Sequence, residues 1–295
     1  MPNLGYWGQS ASIRDRTAYF DGGSVVVAGG FAYHTITTSC TLTNLYGRTV
    51  TMDVLRIGGG GGSGYPDGTK PTNTGVGGGG SAGEYAISVG VVVAATSPIV
   101  TVGLRGSMRI NGTTSPGNGG STDFTGLATV GGGAGGGVGN NAYLTWKDGD
   151  VIPGGVGGGG GGGYGGSGAS WVGVGGVGST YSGGNGTWVS ASLYAAGSGS
   201  GAGGNGLNGD TAQPYTWGGV GVTLSGWKAD GTDLYVCEGG WSLTGNAGDQ
   251  PSNSQGPLAC TYGMGGSQLL YHANFLEQII TFAQPGAVIV KYAYP

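Results

Sequence analysis

The amino-acid sequence predicts a mainly β protein built on packed polyglycine-type extended helices, with almost no α-helix. Two observations predict this class: 76 of the 295 residues are glycine, and apolar residues outside the glycine tracts recur at every second position. A third observation separates the chain from disordered glycine-rich sequences, because 37% of its residues are hydrophobic and 9% are aromatic, whereas disordered chains contain few aromatics. We therefore expect an N-terminal β region and a distal glycine-rich module.

Three parts of the chain have the alternation of half-buried strands. They are residues 24–57, residues 84–102 and residues 287–292. Their apolar side chains alternate with polar or small ones, and a period of two indicates β-strands. Residues 268–282 alone have apolar spacing that fits a helix, although their last residues fit a strand equally well.

The glycine tracts lie between these patches, chiefly at 58–62, 77–80, 131–137 and 154–166. A flexible linker is one interpretation, but large apolar residues such as Trp171 lie close to the tracts. Collagen is excluded because glycine does not recur strictly at every third residue. The remaining interpretation is a bundle of extended helices with about 3 residues per turn, whose outward backbone groups bond to neighbouring helices.

Composition excludes several classes of partner. The net charge is −4 with only 10 Lys and Arg residues, so the basic surface needed for nucleic acid is missing. The longest apolar run, residues 87–99, is interrupted by Gly90 and Pro98 and is shorter than the roughly 20 residues of a spanning helix. Membrane insertion is not expected. The first residues do not resemble a secretory signal, which indicates synthesis in a cytoplasm.

The sequence contains three cysteines, Cys40, Cys237 and Cys260. Three cysteines are too few for a disulfide framework in a chain of this length. We expect three reduced thiols, with a bridge between Cys237 and Cys260 as the alternative.

No catalytic motif is visible, and no cofactor or metal is expected. No Gly-Lys pair occurs, so a phosphate-binding loop is excluded. His34 is interpreted as a hydrogen-bonded sheet residue. Two aspartate pairs, Asp148 with Asp150 and Asp230 with Asp233, could serve glycoside hydrolysis or hold calcium. Their Gly-containing spacing is more typical of tight turns.

Tryptophans recur through the second half of the chain, usually beside glycine, serine or threonine. Aromatic rings on rigid loops supply a large contact area for little conformational entropy. The alternative is that some rings cover the glycine helices, which have no side-chain core of their own. The candidate receptor-binding residues are these six tryptophans and their polar neighbours: Trp146, Asp148, Asp150, Trp171, Trp188, Trp217, Trp227, Lys228, Asp230 and Trp241.

Residues 22–64 contain, in order, Val25-Val-Val, Gly29-Gly-Phe-Ala-Tyr-His-Thr, Thr41-Leu-Thr and Val54-Leu-Arg-Ile-Gly-Gly-Gly-Gly-Gly. With the later pieces Val100-Thr-Val-Gly and Pro285-Gly-Ala-Val-Ile-Val-Lys-Tyr, this order resembles the glycine-rich domain of bacteriophage tail and virion proteins. A looser similarity connects the chain to the fibre-tip adhesins of T-even-like phages. The resemblance implies a non-enzymatic virion protein at the tail or fibre tip that attaches to the host through distal loops.

On this interpretation the chain has three parts. Residues 1–24 are a virion attachment segment, residues 25–103 a β-rich region, and residues 104–295 a glycine-rich module with aromatic loops and a closing strand. The expected partners are other virion subunits, further copies of the chain, with a trimer favoured, and a bacterial surface glycan or protein. The candidate docking residues are the apolar ones of the first segment: Leu4, Tyr6, Trp7, Ile13, Tyr19 and Phe20.

Two further hypotheses differ in class. A structural or decoration protein of the capsid or tail would hold its tryptophan loops in subunit contacts instead of presenting them to a host. An enzyme that trims surface polysaccharide would need two carboxylates about 5 to 10 Å apart in a groove.

Overall fold

A computed structural model describes residues 19–64, 77–107, 117–140, 145–147, 173–178, 180–190, 193–212, 215–246, 260–267 and 283–294. These residues form a mainly β structure that contains no helix. The predicted mainly β class is therefore confirmed for this part of the chain. The glycine tract 154–166 and the ambiguous stretch 268–282 lie outside the described residues.

The strands are short, apart from those of the largest sheet. In chain order they are β1 (Phe20–Asp21), β2 (Ser24–Ala28), β3 (Phe31–Ile36), β4 (Cys40–Thr41), β5 (Thr43–Asn44), β6 (Val50–Ile57), β7 (Tyr85–Val93), β8 (Ile99–Thr101), β9 (Asp123–Phe124), β10 (Val138–Asn140), β11 (Thr145–Lys147), β12 (Thr187–Ser190), β13 (Leu193–Ala195), β14 (Tyr215–Thr216), β15 (Val222–Leu224), β16 (Leu234–Val236), β17 (Ser242–Asn246) and β18 (Ala287–Ala293).

The largest sheet has five antiparallel strands in the order β2-β3-β18-β6-β7. All three predicted β patches contribute to it, so these strand predictions are confirmed. The C-terminal strand β18 lies at its centre, between β3 and β6. This strand, which belongs to the third part predicted from the sequence, completes a sheet begun by residues 24–57.

One face of this sheet covers the first apolar core. Alternate residues of β3 point into it, namely Ala32, His34 and Ile36, and all three are fully buried. Val288, Val290 and Tyr292 of β18 join them from the neighbouring strand. The three-stranded sheet β4-β8-β9 and the pair β1-β5 close this core from the other side, with Phe124 and Phe20 among their buried residues.

The opposite face of the sheet carries a second core around the hairpin β15-β16. Leu55 and Ile57 of β6 and Ile289 of β18 are buried here. Leu224, Leu234, Val236 and Trp227 of the hairpin region pack against them. This hairpin covers only part of the face, and the uncovered part borders the candidate site.

The remaining strands form a four-stranded sheet, β12-β13-β17-β14, and the hairpin β10-β11. Among the described residues no helix is long and apolar enough to cross a membrane.

Residues 58–64 lead out of β6 and bond by their backbone to three neighbouring segments in rotation. N···O distances are 2.8 to 3.0 Å. Each donor amide and its acceptor carbonyl, in chain order, are Gly58 to Glu84, Gly59 to Gly120, Gly60 to Gln284, Gly61 to Ser81, Gly62 to Gly117 and Gly64 to Gly78. Donors to the same neighbouring segment therefore recur at every third residue.

Residues 78–84, which lead into β7, repeat this arrangement with three other neighbours. The pairs are Gly78 to Gly137, Gly79 to Gly197, Gly80 to Gly266, Ser81 to Ala134, Ala82 to Ser200, Gly83 to Gly263 and Glu84 to Gly131. The backbone groups of these buried segments are thus satisfied by other segments and not by a strand ladder.

Close approach between segments explains why these positions are glycine. A Cβ added to Gly58, Gly60 or Gly61 would overlap the carbonyl oxygen of Gly131, Met264 or Ala134, respectively. Those atoms belong to the backbone and cannot move aside as a side chain would. Gly58, Gly60 and Gly61 therefore require a residue without a side chain. Residues 58–64 and 77–84 are called the glycine segments below.

Candidate functional site

A groove of about 410 Å³ opens on the part of the five-stranded sheet that the hairpin β15-β16 leaves uncovered. Its floor consists of sheet residues, and its walls come from the hairpin loop and from residues 261–262. The lining residues are Val26, Tyr33, Thr35, Trp227, Lys228, Ala229, Asp230, Leu234, Thr261, Tyr262 and Ile289.

The alternation of side chains along β2, β3 and β18 determines which residues form the floor of the groove. Val26 pairs with Tyr33 across β2 and β3, and Thr35 pairs with Ile289 across β3 and β18. Since successive side chains of a strand point to opposite faces, Tyr33 and Thr35 face the groove while His34 between them enters the first core.

The loop between β15 and β16 is held by its own polar contacts. The Thr232 amide and hydroxyl both donate to Asp230 Oδ1, at 2.9 and 2.7 Å. The Ser225 hydroxyl donates to Asp233 Oδ1 at 2.6 Å. These contacts confirm the turn interpretation of the Asp230 and Asp233 pair. The hydrogen bonds from Thr232 also lower the pKa of Asp230, which keeps this exposed carboxyl ionised.

Lys291 joins this loop to the sheet. Its ammonium donates to the carbonyl oxygen of Gly226 at 3.2 Å and lies 4.5 Å from the ring centroid of Phe31 and 5.8 Å from that of Tyr33. An ammonium above an aromatic face is attracted to the ring. Lys291 therefore fixes the start of the loop relative to Tyr33 in the groove floor.

Several polar groups of the lining are available to a ligand. Within the described part of the chain, the side-chain hydroxyls of Tyr33, Thr35, Thr261 and Tyr262 make no hydrogen bond. The Lys228 ammonium makes a long contact of 3.4 Å with the Thr232 hydroxyl and is partly exposed. The groove thus combines aromatic and aliphatic surface with unpaired hydroxyls and one charge of each sign.

The structure brings together three of the predicted receptor residues, Trp227, Lys228 and Asp230. Trp227 is only 9% exposed, so most of its ring fills the second core. Trp217 follows β14 and is 41% exposed, outside the groove lining.

Trp241 corrects the expectation of exposed tryptophan loops. It is 9% exposed, and its amide donates to the Ser267 hydroxyl at 3.1 Å. This burial fits the alternative stated from the sequence, that large rings supply apolar cover where glycine segments supply no side chains. Trp146 and Trp188 lie in β11 and β12, but their side chains are outside the described part, as are Trp171, Asp148 and Asp150 altogether.

Phe20 also departs from its predicted role. It is 1% exposed and its ring centroid lies 5.7 Å from that of Tyr292. The chain itself therefore covers this residue, which removes it from the candidate docking set. Tyr19 packs at the edge of the same core, while Leu4, Tyr6, Trp7 and Ile13 lie outside the described residues.

His34 is the hydrogen-bonded sheet residue that the sequence predicted. Its Nδ1 lies 2.9 Å from the carbonyl oxygen of Gly22, and its Nε2 lies 2.9 Å from the hydroxyl of Tyr292. Burial lowers the pKa of His34, so the neutral ring donates from Nδ1 and accepts from Tyr292 at Nε2. Tyr292 in turn accepts a hydrogen bond from the Tyr19 amide at 2.9 Å.

Two buried carboxyl groups were missed in the sequence. Glu84 Oε2 accepts a hydrogen bond from the Gly131 amide at 2.7 Å, while Oε1 has no partner. Burial raises the pKa of Glu238 to about 7, and its Oε2 also has no partner. The only available signal was that each is a charged residue directly beside a glycine segment.

The three cysteines are free thiols, as expected from their number. Burial raises the pKa of Cys260 to about 11, so the thiolate form is not populated near neutral pH. No cluster of three potential metal-ligating side chains occurs within the described ranges.

Comparison of the sequence with protein-family models and with curated proteins found no match.

Proposed function

We propose that this chain is a non-enzymatic attachment protein of a bacteriophage tail or fibre tip and that the groove contacts the host-surface receptor. The observation that carries the proposal is the loop 225–233, which borders an open groove and is fastened to a β-sheet by Lys291. Binding residues are often found on loops held by a rigid scaffold. The phage assignment itself comes from the sequence resemblance.

The glycine segments would supply the rigidity of that scaffold as packed polyglycine-type helices. The rotation of hydrogen bonds through three neighbours at residues 58–64 and 78–84 supports this interpretation. None of residues 58–64 has a positive φ. A uniform sign of φ is expected for an extended helix with about 3 residues per turn, whose φ is negative at every residue.

A cell-binding assay tests the receptor role. The labelled full chain is incubated with a panel of bacterial strains, and Lys228→Glu is compared with Arg48→Glu on the strain that binds best. Arg48 is exposed and lies outside the groove, so it matches the charge change. We expect Lys228→Glu to weaken binding by about tenfold or more, as for a binding hot spot, and Arg48→Glu to have no effect.

Equal binding by the two variants would contradict the receptor role of the groove, and so would failure of the wild-type chain to bind any strain. Circular dichroism of both variants verifies that they are folded.

A structural or decoration protein is the second candidate, and the edges of the large sheet favour it. Val89 and Val92 on the edge strand β7 are 76% and 66% exposed, and Val26 on the other edge is also exposed. Apolar edge strands invite pairing with another subunit. Under this alternative, Val89→Asp would abolish incorporation into particles, whereas under the receptor proposal Lys228→Glu particles would assemble and fail to adsorb.

A further inference from the structure

We infer that the groove binds a pyranose residue of a surface glycan, with the sugar ring against Tyr33 and Tyr262 and its hydroxyls bonded to the groove's polar groups. This inference rests on the proposed receptor function and names the class of ligand.

The size of the groove suits a small sugar unit. Its volume of about 410 Å³ lies in the lower part of the usual range for small-ligand sites, about 300 to 1,000 Å³. A site of this size accepts one or two sugar residues of a longer polysaccharide, whose remaining residues would continue into solvent.

The chemistry of the lining matches the two sides of a pyranose. One side of such a ring presents C–H groups, which pack on aromatic and aliphatic surface, here from Tyr33, Tyr262 and Ile289. The rim of the ring presents hydroxyls that both donate and accept. Tyr33, Thr35, Thr261 and Tyr262 have hydroxyls of the same kind that lack partners among the described residues.

The charged groups complete the match. Asp230 lies at the rim as an exposed carboxylate, and Lys228 lies two residues before it on the same loop. A carboxylate accepts hydrogen bonds from hydroxyls and an ammonium donates to them. With one charge of each sign among its lining residues, the groove has no strong preference for an acidic or a basic ligand, which favours a neutral sugar.

A peptide fits the groove less well. Extended peptides gain affinity by adding a strand to a free sheet edge. The floor residues Tyr33 and Thr35 belong to β3, whose two edges are already paired with β2 and β18. Recognition at Tyr33 and Thr35 must therefore come from side chains, and the free edge of the sheet on this side belongs to β2, which carries Val26.

The test uses the full chain and conservative variants that keep the rings. Binding to an array of neutral and acidic bacterial saccharides is measured for the wild type, Tyr33→Phe, Tyr262→Phe and the control Tyr46→Phe, a tyrosine outside the groove lining. We expect binding to neutral saccharides, weakened a few-fold to about tenfold by each groove variant, since each loses one hydrogen bond. Tyr46→Phe should bind as the wild type does.

In a second experiment, cells of the strain that binds the chain are treated before binding with periodate, which oxidises vicinal diols of glycans, or with protease. Loss of binding after periodate but not after protease supports the inference. Loss of binding after protease but not after periodate overturns the sugar ligand in favour of a protein receptor. If Lys228→Glu also binds the cells weakly, the proposed function stands. If the chain binds saccharides but no cells, the receptor function alone is overturned. If it binds neither saccharides nor cells, the sugar ligand and the receptor function are both overturned.

Discussion

At the scale of single residues, the stability of the fold depends on buried positions where only one residue type or one protonation state fits. Glycine is required where backbones touch. Burial lowers the pKa of His34 and favours the neutral ring, whose two nitrogens are both hydrogen-bonded. Glu84 and Glu238 carry carboxyl oxygens without partners. Gly61 and Glu238 each lead to a separate prediction about stability.

Gly61→Ala should lower the free energy of unfolding by about 3 kcal/mol or more, because the added Cβ would overlap the Ala134 carbonyl and overpacking against backbone is poorly relieved. Gly204→Ala is the matched control, since its Cβ would meet only the tip of the Val220 side chain, at 3.1 Å. Urea unfolding measures both. If Gly61→Ala lost as little free energy of unfolding as Gly204→Ala does, residues 58–64 would not be tightly packed.

Glu238→Gln should change how stability depends on pH. Burial raises the pKa of Glu238 to about 7 from 4.5, so between these values the unfolded chain releases a proton that the folded chain retains. The wild type therefore loses stability from this group as the pH rises from 4.5 to 7. Gln cannot titrate, so the variant should gain stability relative to the wild type across that interval and level off above it.

The difference between the two unfolding curves isolates Glu238, since the other titrating groups are common to both proteins. His34 acts in the opposite direction, because a lowered pKa destabilises the folded state as the pH falls below 6.5. A constant difference between variant and wild type from pH 4.5 to 7 would contradict the assignment.

At the scale of elements, the site depends on how the hairpin β15-β16 is attached to the sheet. The apolar residues of the hairpin and Trp227 of its loop are anchored in the second core, and the start of the loop is also bonded to Lys291. The loop also has an internal turn, in which Thr232 bonds to Asp230. Removing Lys291 should therefore loosen the start of the loop without disturbing its turn or the burial of Trp227.

Lys291→Met should make the start of the loop more mobile while leaving the sheet intact. Met keeps much of the aliphatic length but loses the ammonium, and with it the bond to Gly226 and the attraction to Phe31 and Tyr33. We expect a modest loss of stability, about 1 kcal/mol, and faster amide hydrogen exchange in residues 225–233. Arg48→Met is the control. Unchanged exchange in the loop would show that Lys291 does not hold it.

At the scale of the whole molecule, the sequence predicted the strands better than the site. Alternation in residues 24–57 and 287–292 was sufficient because it arises within each strand. The groove draws on Val26, Tyr33, the loop 227–230, Tyr262 and Ile289, which are distant in sequence. Their proximity follows from the placement of β18 between β3 and β6, and no local pattern encodes that pairing. The burial of Trp241 was left open by the sequence for a related reason, since burial depends on segments distant along the chain.

The sheet and the glycine segments should unfold as one cooperative unit. Two strands of the large sheet continue directly into glycine segments, β6 into residues 58–64 and residues 77–84 into β7. Residues 283–286, which lead into β18, accept a backbone hydrogen bond from the first segment through the Gln284 carbonyl. Because the chain is continuous, unfolding of either layer therefore frees the ends of the strands or segments that continue into the other. Ile289→Ala, which empties part of the second core from the central strand, should cost about 2 to 5 kcal/mol, and Gly61→Ala acts in the other layer. Differential scanning calorimetry should give a single transition for the wild type, and both variants should shift that same transition downward, with calorimetric and van't Hoff enthalpies in agreement. Two transitions, each sensitive to only one of the substitutions, would mean that the layers are separate folding units and that the glycine segments do not brace the sheet that carries the groove.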